Sequence, residues 1–459
     1  MELILLSGGS GKRLWPLSND SRSKQFLKVL PNNSNEELQS MVQRVWEQLE
    51  QTNLSASTVI ATSKSQVDMI QNQLGNQVPL IIEPERRDTF PAIALAATYL
   101  YSVKGTNLEE VMAVLPVDPY VETSFFEKIK ELELALNESN AELALIGAVP
   151  TYPSSKYGYI VPNSDTSQQY FQVKNFKEKP SEIEAELLLK DNALWNCGVF
   201  AFKLDYIISL LQQKDLPVDY FRLLEQYKEL EKISFDYAVV EKTKNIIALP
   251  YNGTWKDLGT WNTLTEEMGS QIIGKGIVCE ESKNTHLVNE LDIPITVIGV
   301  KDAIISASPD GILVSDKLSS PKIKEILNGF EQRPMYEERR WGWYKVLDHT
   351  KFDEGNEVLT KRIGVNAGSN LSYQKHFARS EVWTIIKGEG HFALDDKIRH
   401  VKPGDVLIIP VESNHGIKAI TDMEFIEVQT GSQLIEEDIV RIFMTWEEVE
   451  EHCKLSVGK

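Results

Sequence analysis

Residues 2–6, ELILL, form an apolar run that ends just short of Gly8, Gly9 and Gly11. A buried strand emptying into a glycine-rich loop limits the fold strongly, because strand ends in layered α/β sheets are where ligands are held. Two more runs of this kind follow, MAVLPVD (112–118) and LALIGAV (143–149). Between the strands lie segments with helical apolar spacing, NEELQSMVQRVWEQLEQ (35–51) and PAIALAATYLYSV (91–103). Strands alternating with helices predict an α/β domain: a mostly parallel, Rossmann-like sheet covered on both faces.

The alternation fades near residue 265. The stretch GIVCEESKNTHLVNELDIPITVIGVKDAIISASPDGILVSDK has brief apolar pieces at short spacing with repeated Asp and Asn turns, and predicts a small β-helix-like connector. Residues 319–340 predict a helix followed by a charged, proline-bearing linker. Beyond Trp341, short alternating strands punctuated by Gly and Asp predict an all-β barrel, closed by a helical tail in SQLIEEDIVRIFMTWEEVEEH. A chain of 459 residues is too long for one core, and the expected division is 1–265, 266–330 and 331–459.

The loop carries the first chemistry. Gly8, Gly9 and Gly11 let backbone N–H groups approach phosphate oxygens, Arg13 offers a bidentate fork, and Lys24 adds a point charge. The pattern is neither a P-loop nor GxGxxG, and alone it would also suit a tight turn with solvated charges. Asp118 follows the strand MAVLP, where its carboxylate would reach a Mg²⁺ ion at the strand end. A net charge of −19 argues against nucleic acid, so the basic loop is a local device. The first of seven histidines is His286, so the chemistry of the first 285 residues proceeds without histidine. Three scattered cysteines fit a reducing cytoplasm without disulfides. With no apolar run of membrane length and no room for a signal peptide before the loop, a cytoplasmic chain without membrane association is expected.

The second constellation is Gln374, His376 and Glu381, spaced Q-x-H-x4-E, with His415 in IPVESNHGI. On a strand, residues 374 and 376 point the same way, Glu381 can return from the next strand, and His415 completes four ligands. This is the arrangement of a cupin metal site. Mixed nitrogen and oxygen donors fit Zn²⁺ and also Mn²⁺, Fe²⁺ or Co²⁺.

The ordered series GGSGKRLWPLS, SKQF, EPERRDTFPAIALAA, LPVDPY, KYGYI, FKEKP, WNCGVFAF, FDYAVVEK and WKDLGTW resembles the GDP-mannose pyrophosphorylases, a group of sugar-phosphate nucleotidyltransferases. Motif order and chain length resemble their long bacterial class, which also carries a phosphomannose isomerase domain. The resemblance implies a GT-A-like transferase domain that makes GDP-mannose and pyrophosphate from GTP and mannose 1-phosphate, feeding polysaccharide synthesis. It implies that Gly8, Gly9, Gly11, Lys12, Arg13, Glu83, Asp88 and Thr89 hold the nucleotide, with Arg13 on the leaving phosphates and Lys24 on the reacting one. Asp257 joins Asp118 as a Mg²⁺ ligand. Glu178 and Asn196 would bind sugar hydroxyls, Gly158 would permit close approach, and Lys179 would hold the sugar phosphate. In the cupin, a divalent transition metal, Zn²⁺ first, would serve a mannose-6-phosphate isomerase with Arg379 beside it. A homodimer is also implied.

The chain departs from the family pattern at Asp88, Phe90, Ser23 and Val117–Asp118–Pro119, and in the cupin at Phe377, Ala378 and Gly416. These departures keep an alternative open: another base or sugar in the transferase, with a cupin that senses or dimerises instead of catalysing.

Overall fold

The computed structural model describes residues 1–9, 12–19, 21–32, 37–163, 169–330, 332–435 and 438–457, with side chains up to residue 453. Gly11 therefore lies outside the described residues. The chain divides into two compact units, neither continuous in sequence. The first comprises Met1–Leu14, Ser23–Gln271 and Ser315–Ile326; the second comprises Trp15–Arg22, Ile272–Val314 and Leu327–Lys459.

The first unit is built on a nine-stranded sheet. Its order is Leu80–Glu83, Thr58–Ser63, Glu2–Ser7, Val111–Pro116, Leu194–Lys203, Leu143–Ala148, Ile246–Tyr251, Phe171–Lys177, Tyr159–Pro162. Side chains of the first strand alternate between faces, as period two requires: Ile4 enters one apolar core, Leu3 and Leu5 the other. Helices Thr89–Ser102 and Ser124–Ser139 contribute to the two cores, respectively. The sheet is mixed where the alternation predicts a mostly parallel one. Leu194–Lys203 runs antiparallel to both Val111–Pro116 and Leu143–Ala148. Its pairing with Leu143–Ala148 shifts register between Asn196 and Phe200, where Gly198 takes a φ of +71°.

In the second unit, Ile272–Gly274, His286–Asn289 and Ala303–Ser308 stack in parallel, and Gly276–Val278 pairs in parallel with Ile295–Val297. This is the expected short β-helix. Asn289 holds its turn from inside, donating to the carbonyls of Lys275 and Ile293 at 2.7 and 2.8 Å. Segment Trp15–Arg22 packs within this same unit. Asn19 donates to Asp310 at 2.7 Å, Ser308 to the Pro16 carbonyl at 2.6 Å, and Arg22 pairs with Glu290 at 2.9 Å.

The C-terminal part is a two-sheet β-barrel of the cupin kind. Six strands run in the order Tyr336–Arg339, Gly342–Lys351, Glu357–Val365, Met423–Gly431, Arg379–Lys387, Val406–Ile409. Five more form the second sheet: Lys397–Val401, Gly390–Leu394, His415–Ala419, Tyr373–Lys375, Val440–Phe443. Trp383, Phe392, Ile417 and Phe425 are central to the apolar core.

Two expectations need correction here. The charged end of the expected linker is the edge strand Tyr336–Arg339, hidden in the sequence by its charges; Glu337 is buried and satisfied by Ser21 and Arg339. The tail is not helical throughout, because Val440–Phe443 pairs with Tyr373–Lys375 and the helix begins at Trp446.

Candidate active site and candidate metal centre

The first strand ends at Ser7, and Gly8 and Gly9 turn out of the sheet, Gly9 with a φ of +130° that only glycine adopts readily. A Cβ placed on either glycine would meet nothing within 4 Å. The backbone there faces open space, a cavity of about 710 Å³. Ser23, where the family has proline, is buried and ties the loop shut: it donates to the Gly9 carbonyl at 3.0 Å and accepts from Gln66 at 2.8 Å.

Pairing of Pro119–Val121 with Trp255–Asp257 sets Asp257 opposite Pro119, beside Asp118. The two carboxylates, 139 positions apart in the chain, converge on Lys24, whose Nζ lies 2.7 Å from Asp118 Oδ2 and 2.7 Å from Asp257 Oδ1. Burial opposes charge on both Asp257 and Lys24. The pairing wins, holding the Asp257 carboxyl below its usual range and the lysine above its own. Two hard oxygen donors on the wall of this cavity suit a Mg²⁺ ion.

The opposite wall carries Gly158, Glu178 and Asn196. A Cβ at Gly158 would stand 2.5 Å from Glu178 Oε2, so this glycine makes room for that carboxylate. Lys179 pairs with Glu178 at 2.6 Å but is largely exposed, and it does not line the cavity. Asn196 donates to Asp236 at 3.0 Å. Asp236 is a cavity residue that sequence reasoning missed, although it lies inside FDYAVVEK. Burial, then the neighbouring Glu178 charge, push its carboxyl up to about 7. Tyr157 and Trp255 line the cavity as well and pack ring against ring with the buried Trp195, with centroids 4.9 to 6.2 Å apart.

Asp88 and Thr89 line the cavity where helix Thr89–Ser102 begins. Asp88 takes a φ of +69° with a ψ of −175°, a backbone region that glycine usually occupies, and caps the Thr89 N–H at 2.8 Å. Glu83 also lines it, buried and accepting from Tyr227 at 2.6 Å. Arg86, Lys156 and Lys232 line the same space and were not singled out by sequence. Arg13 lies on the adjoining turn Lys12–Leu14 and lines a second cavity of about 280 Å³ with Gly8, Gly9 and Lys24. Lys12 lines neither cavity.

In the barrel, His376, Glu381 and His415 present ligand atoms that all lie within 4.8 Å of one another, and all three are buried. The histidine tautomers follow from their outer partners. His376 Nδ1 bonds the Asp438 carbonyl at 2.6 Å and His415 Nδ1 the Ser413 carbonyl at 3.0 Å, so each Nε2 turns a lone pair inward. His415 Nε2 is buried without a hydrogen-bond partner and stands 3.5 Å from Glu381 Oε2, a placement that fits a ligand atom. Glu381 is held by Arg379 at 3.0 Å, Gln429 at 3.1 Å and Trp383 at 3.1 Å. Burial would raise this carboxyl, but His415, His376 and Arg379 bring it well below the usual range. Gln374 stands beside the set, its amide nitrogen 3.4 Å from His376 Nε2 and its oxygen accepting from Ser372 at 2.7 Å. Arg379, expected beside the metal as an isomerase residue, is 4% exposed and directs its guanidinium onto Glu381. A Cβ at Gly416 would sit 3.2 Å from the Ser372 carbonyl and 3.2 Å from Tyr373 Cα, a tight fit for any larger side chain at this departure from the family pattern.

A family model described as nucleotidyl transferase matches residues 2–271, and one described as mannose-6-phosphate isomerase C-terminal matches residues 331–443. The mannose-1-phosphate guanylyltransferase of Salmonella muenchen is 29% identical, over 96% of this chain and 97% of that protein. The alginate biosynthesis protein AlgA of Pseudomonas aeruginosa is 28% identical, over 96% of this chain and 95% of that one. A crystal structure described as mannose-1-phosphate geranyltransferase from Thermus thermophilus superposes with a TM-score of 0.60 at 27% identity, covering 72% of this chain and 99% of that chain. No helix among the described residues is long and apolar enough to cross a membrane.

Proposed function

The chain belongs to the nucleotidyl transferase family, and from that premise we propose that it is a mannose-1-phosphate guanylyltransferase forming GDP-mannose and pyrophosphate from GTP and mannose 1-phosphate. One observation carries the reading: the glycine loop, the Asp118–Lys24–Asp257 cluster and the Gly158–Glu178–Asn196 wall open onto one cavity of about 710 Å³. The substrates divide along it. Triphosphate lies on the Gly8–Gly9 backbone with Arg13 at its far end, the base beside Glu83, Asp88 and Thr89, and the sugar against Glu178 and Asn196. Lys24 exchanges a carboxylate partner for the reacting phosphate. A phosphate oxygen of the sugar attacks the α-phosphorus, and pyrophosphate leaves from the opposite side. The residues contribute alignment and charge compensation, not covalent chemistry. Mg²⁺ held by Asp118 and Asp257 would neutralise phosphate charge.

The cupin is proposed to bind Zn²⁺ or a related divalent ion through His376, Glu381, His415 and Gln374, and to act as a mannose-6-phosphate isomerase. Bound metal would polarise the carbonyl and hydroxyl oxygens of the sugar phosphate. Arg379 orients Glu381, and Asp438 fixes the His376 tautomer. The chain is further proposed to be cytoplasmic, homodimeric, and divided by function near residues 265 and 330.

The test is a panel of nucleoside triphosphates with mannose 1-phosphate, read by pyrophosphate release. GTP should turn over fastest. The engagement of Asp88 with Thr89 N–H leaves one oxygen for a base edge, which favours keeping other bases in the panel. Faster turnover of another nucleotide, or of another sugar phosphate, would replace this reading with a transferase of that specificity.

A further inference from the structure

Lys324 lies 300 positions after Lys24 in the chain, in the segment Ser315–Ile326 that returns to the first unit. No sequence motif marks it. The short helix Ile323–Ile326 buries Ile323 and packs on the turn Lys12–Leu14 that carries Arg13. Lys324 consequently lines both cavities, the large one with Asp118 and Asp257 and the small one with Gly8, Gly9, Arg13 and Lys24.

The two cavities differ in charge. Six carboxylates and seven cations line the large one, whereas among the described residues the small one is walled by three cations, glycine backbone and neutral polar groups, with no carboxylate. Lys24 is compensated by two aspartates, but no described acid pairs with Lys324. An exposed lysine held by a buried neighbour over a glycine-loop cavity has little to contribute to folding and much to offer an anion.

We propose that Lys324 is a third polyphosphate clamp, which binds the terminal phosphates of the nucleotide and then the departing pyrophosphate in the small cavity. The proposal rests on the nucleotidyl-transfer reading. As the new bond forms from the sugar-phosphate oxygen to the α-phosphorus, the bond from that phosphorus to the bridging oxygen breaks. Its electron pair leaves with pyrophosphate, so negative charge grows where Lys324 and Arg13 converge.

The test compares full-length wild type with Lys324→Ala, Lys324→Gln and Lys324→Arg. Steady-state constants are measured in both directions, and Mg²⁺–pyrophosphate binding is measured directly by calorimetry. The neutral variants should raise KM for the nucleotide and for pyrophosphate about tenfold, the scale of one charge-assisted contact at an exposed group. KM for mannose 1-phosphate should stay within about twofold, and Lys324→Arg should recover most of the loss. Unchanged nucleotide and pyrophosphate constants would overturn the proposal. So would equal rises for all substrates accompanied by a lower Tm, because that pattern belongs to a structural lysine. A wild-type chain inactive with GTP would count against the guanylyltransferase reading alone. Pyrophosphate calorimetry on the same variants would still decide the role of Lys324.

Discussion

The two sites solve the problem of unmatched charge in opposite ways. In the transferase cavity the carboxylates of Asp118 and Asp257 are compensated by a lysine at 2.7 Å, in a space open enough for two substrates. In the barrel, His376, Glu381 and His415 are buried, and every outer partner steers a donor atom inward. The first arrangement is exchangeable: Lys24 can trade a carboxylate for a phosphate without leaving a charge stranded. The second is preorganised: the buried His415 Nε2 makes no hydrogen bond and stands 3.5 Å from Glu381 Oε2. A substrate site has to tolerate both its empty and filled states, whereas a resident-metal site is shaped for one.

The contrast can be attacked most strongly at Asp118. Asp118→Ala should cost on the order of 3–4 kcal/mol of transition-state stabilisation, with pyrophosphate release falling accordingly and metal content of the barrel untouched. Turnover near wild type would remove the assigned cluster. His376→Ala makes the reciprocal cut. Metal affinity should fall by at least about 100-fold, the upper end for loss of an outer partner, while pyrophosphate release continues at the wild-type rate. Elemental analysis after dialysis reads this directly, and retention of a full complement of metal would break the comparison.

Asp236 offers a sharper test on the sugar side. Its carboxyl titrates near 7 in the folded chain against an ordinary 3.8, so the folded state holds the proton more tightly than the unfolded one. Its contribution to stability is complete below the ordinary value and is lost as pH rises through 7. Asp236→Asn should therefore gain stability relative to wild type between pH 4 and pH 8, by up to about 4 kcal/mol. Parallel pH–stability curves would mean that Asp236 carries no buried charge. The smallest effect is expected at Gly158. Gly158→Ala forces the Glu178 carboxylate to shift, and KM for the sugar phosphate should rise by roughly tenfold or less, with KM for the nucleotide unchanged. A rise in the nucleotide constant instead would place the sugar elsewhere.

Much of both sites is legible in the sequence, for a physical reason. Gly8, Asp118, His376 and His415 sit at strand ends or on strands, where period two and chain direction state where a side chain goes. Lys324 is invisible because its four-residue helix has no periodicity to read, and its neighbours at the loop lie some 300 positions earlier. Asp236 was overlooked because its importance comes from burial beside Glu178, and burial depends on tertiary packing. The antiparallel direction of Leu194–Lys203 escaped for a related reason: an apolar run fixes a strand, not its partner. The edge strand Tyr336–Arg339 is masked by its charges; that of the buried Glu337 is met by Ser21, far away in the chain, and by Arg339.

The interleaving of the two units has a consequence for how this chain is made and how it can be inherited. Residues 1–14 leave the ribosome long before Ser315–Ile326, and their unit is incomplete until that segment has followed. Trp15–Arg22 emerges next and waits through some 250 residues for Ile272–Val314. No single cut of the gene yields one whole unit, and a single recombination crossover between residues 23 and 314 would join the beginnings of both units to foreign continuations. Such a chain can change activity by substitution within either unit far more readily than by exchanging one of them.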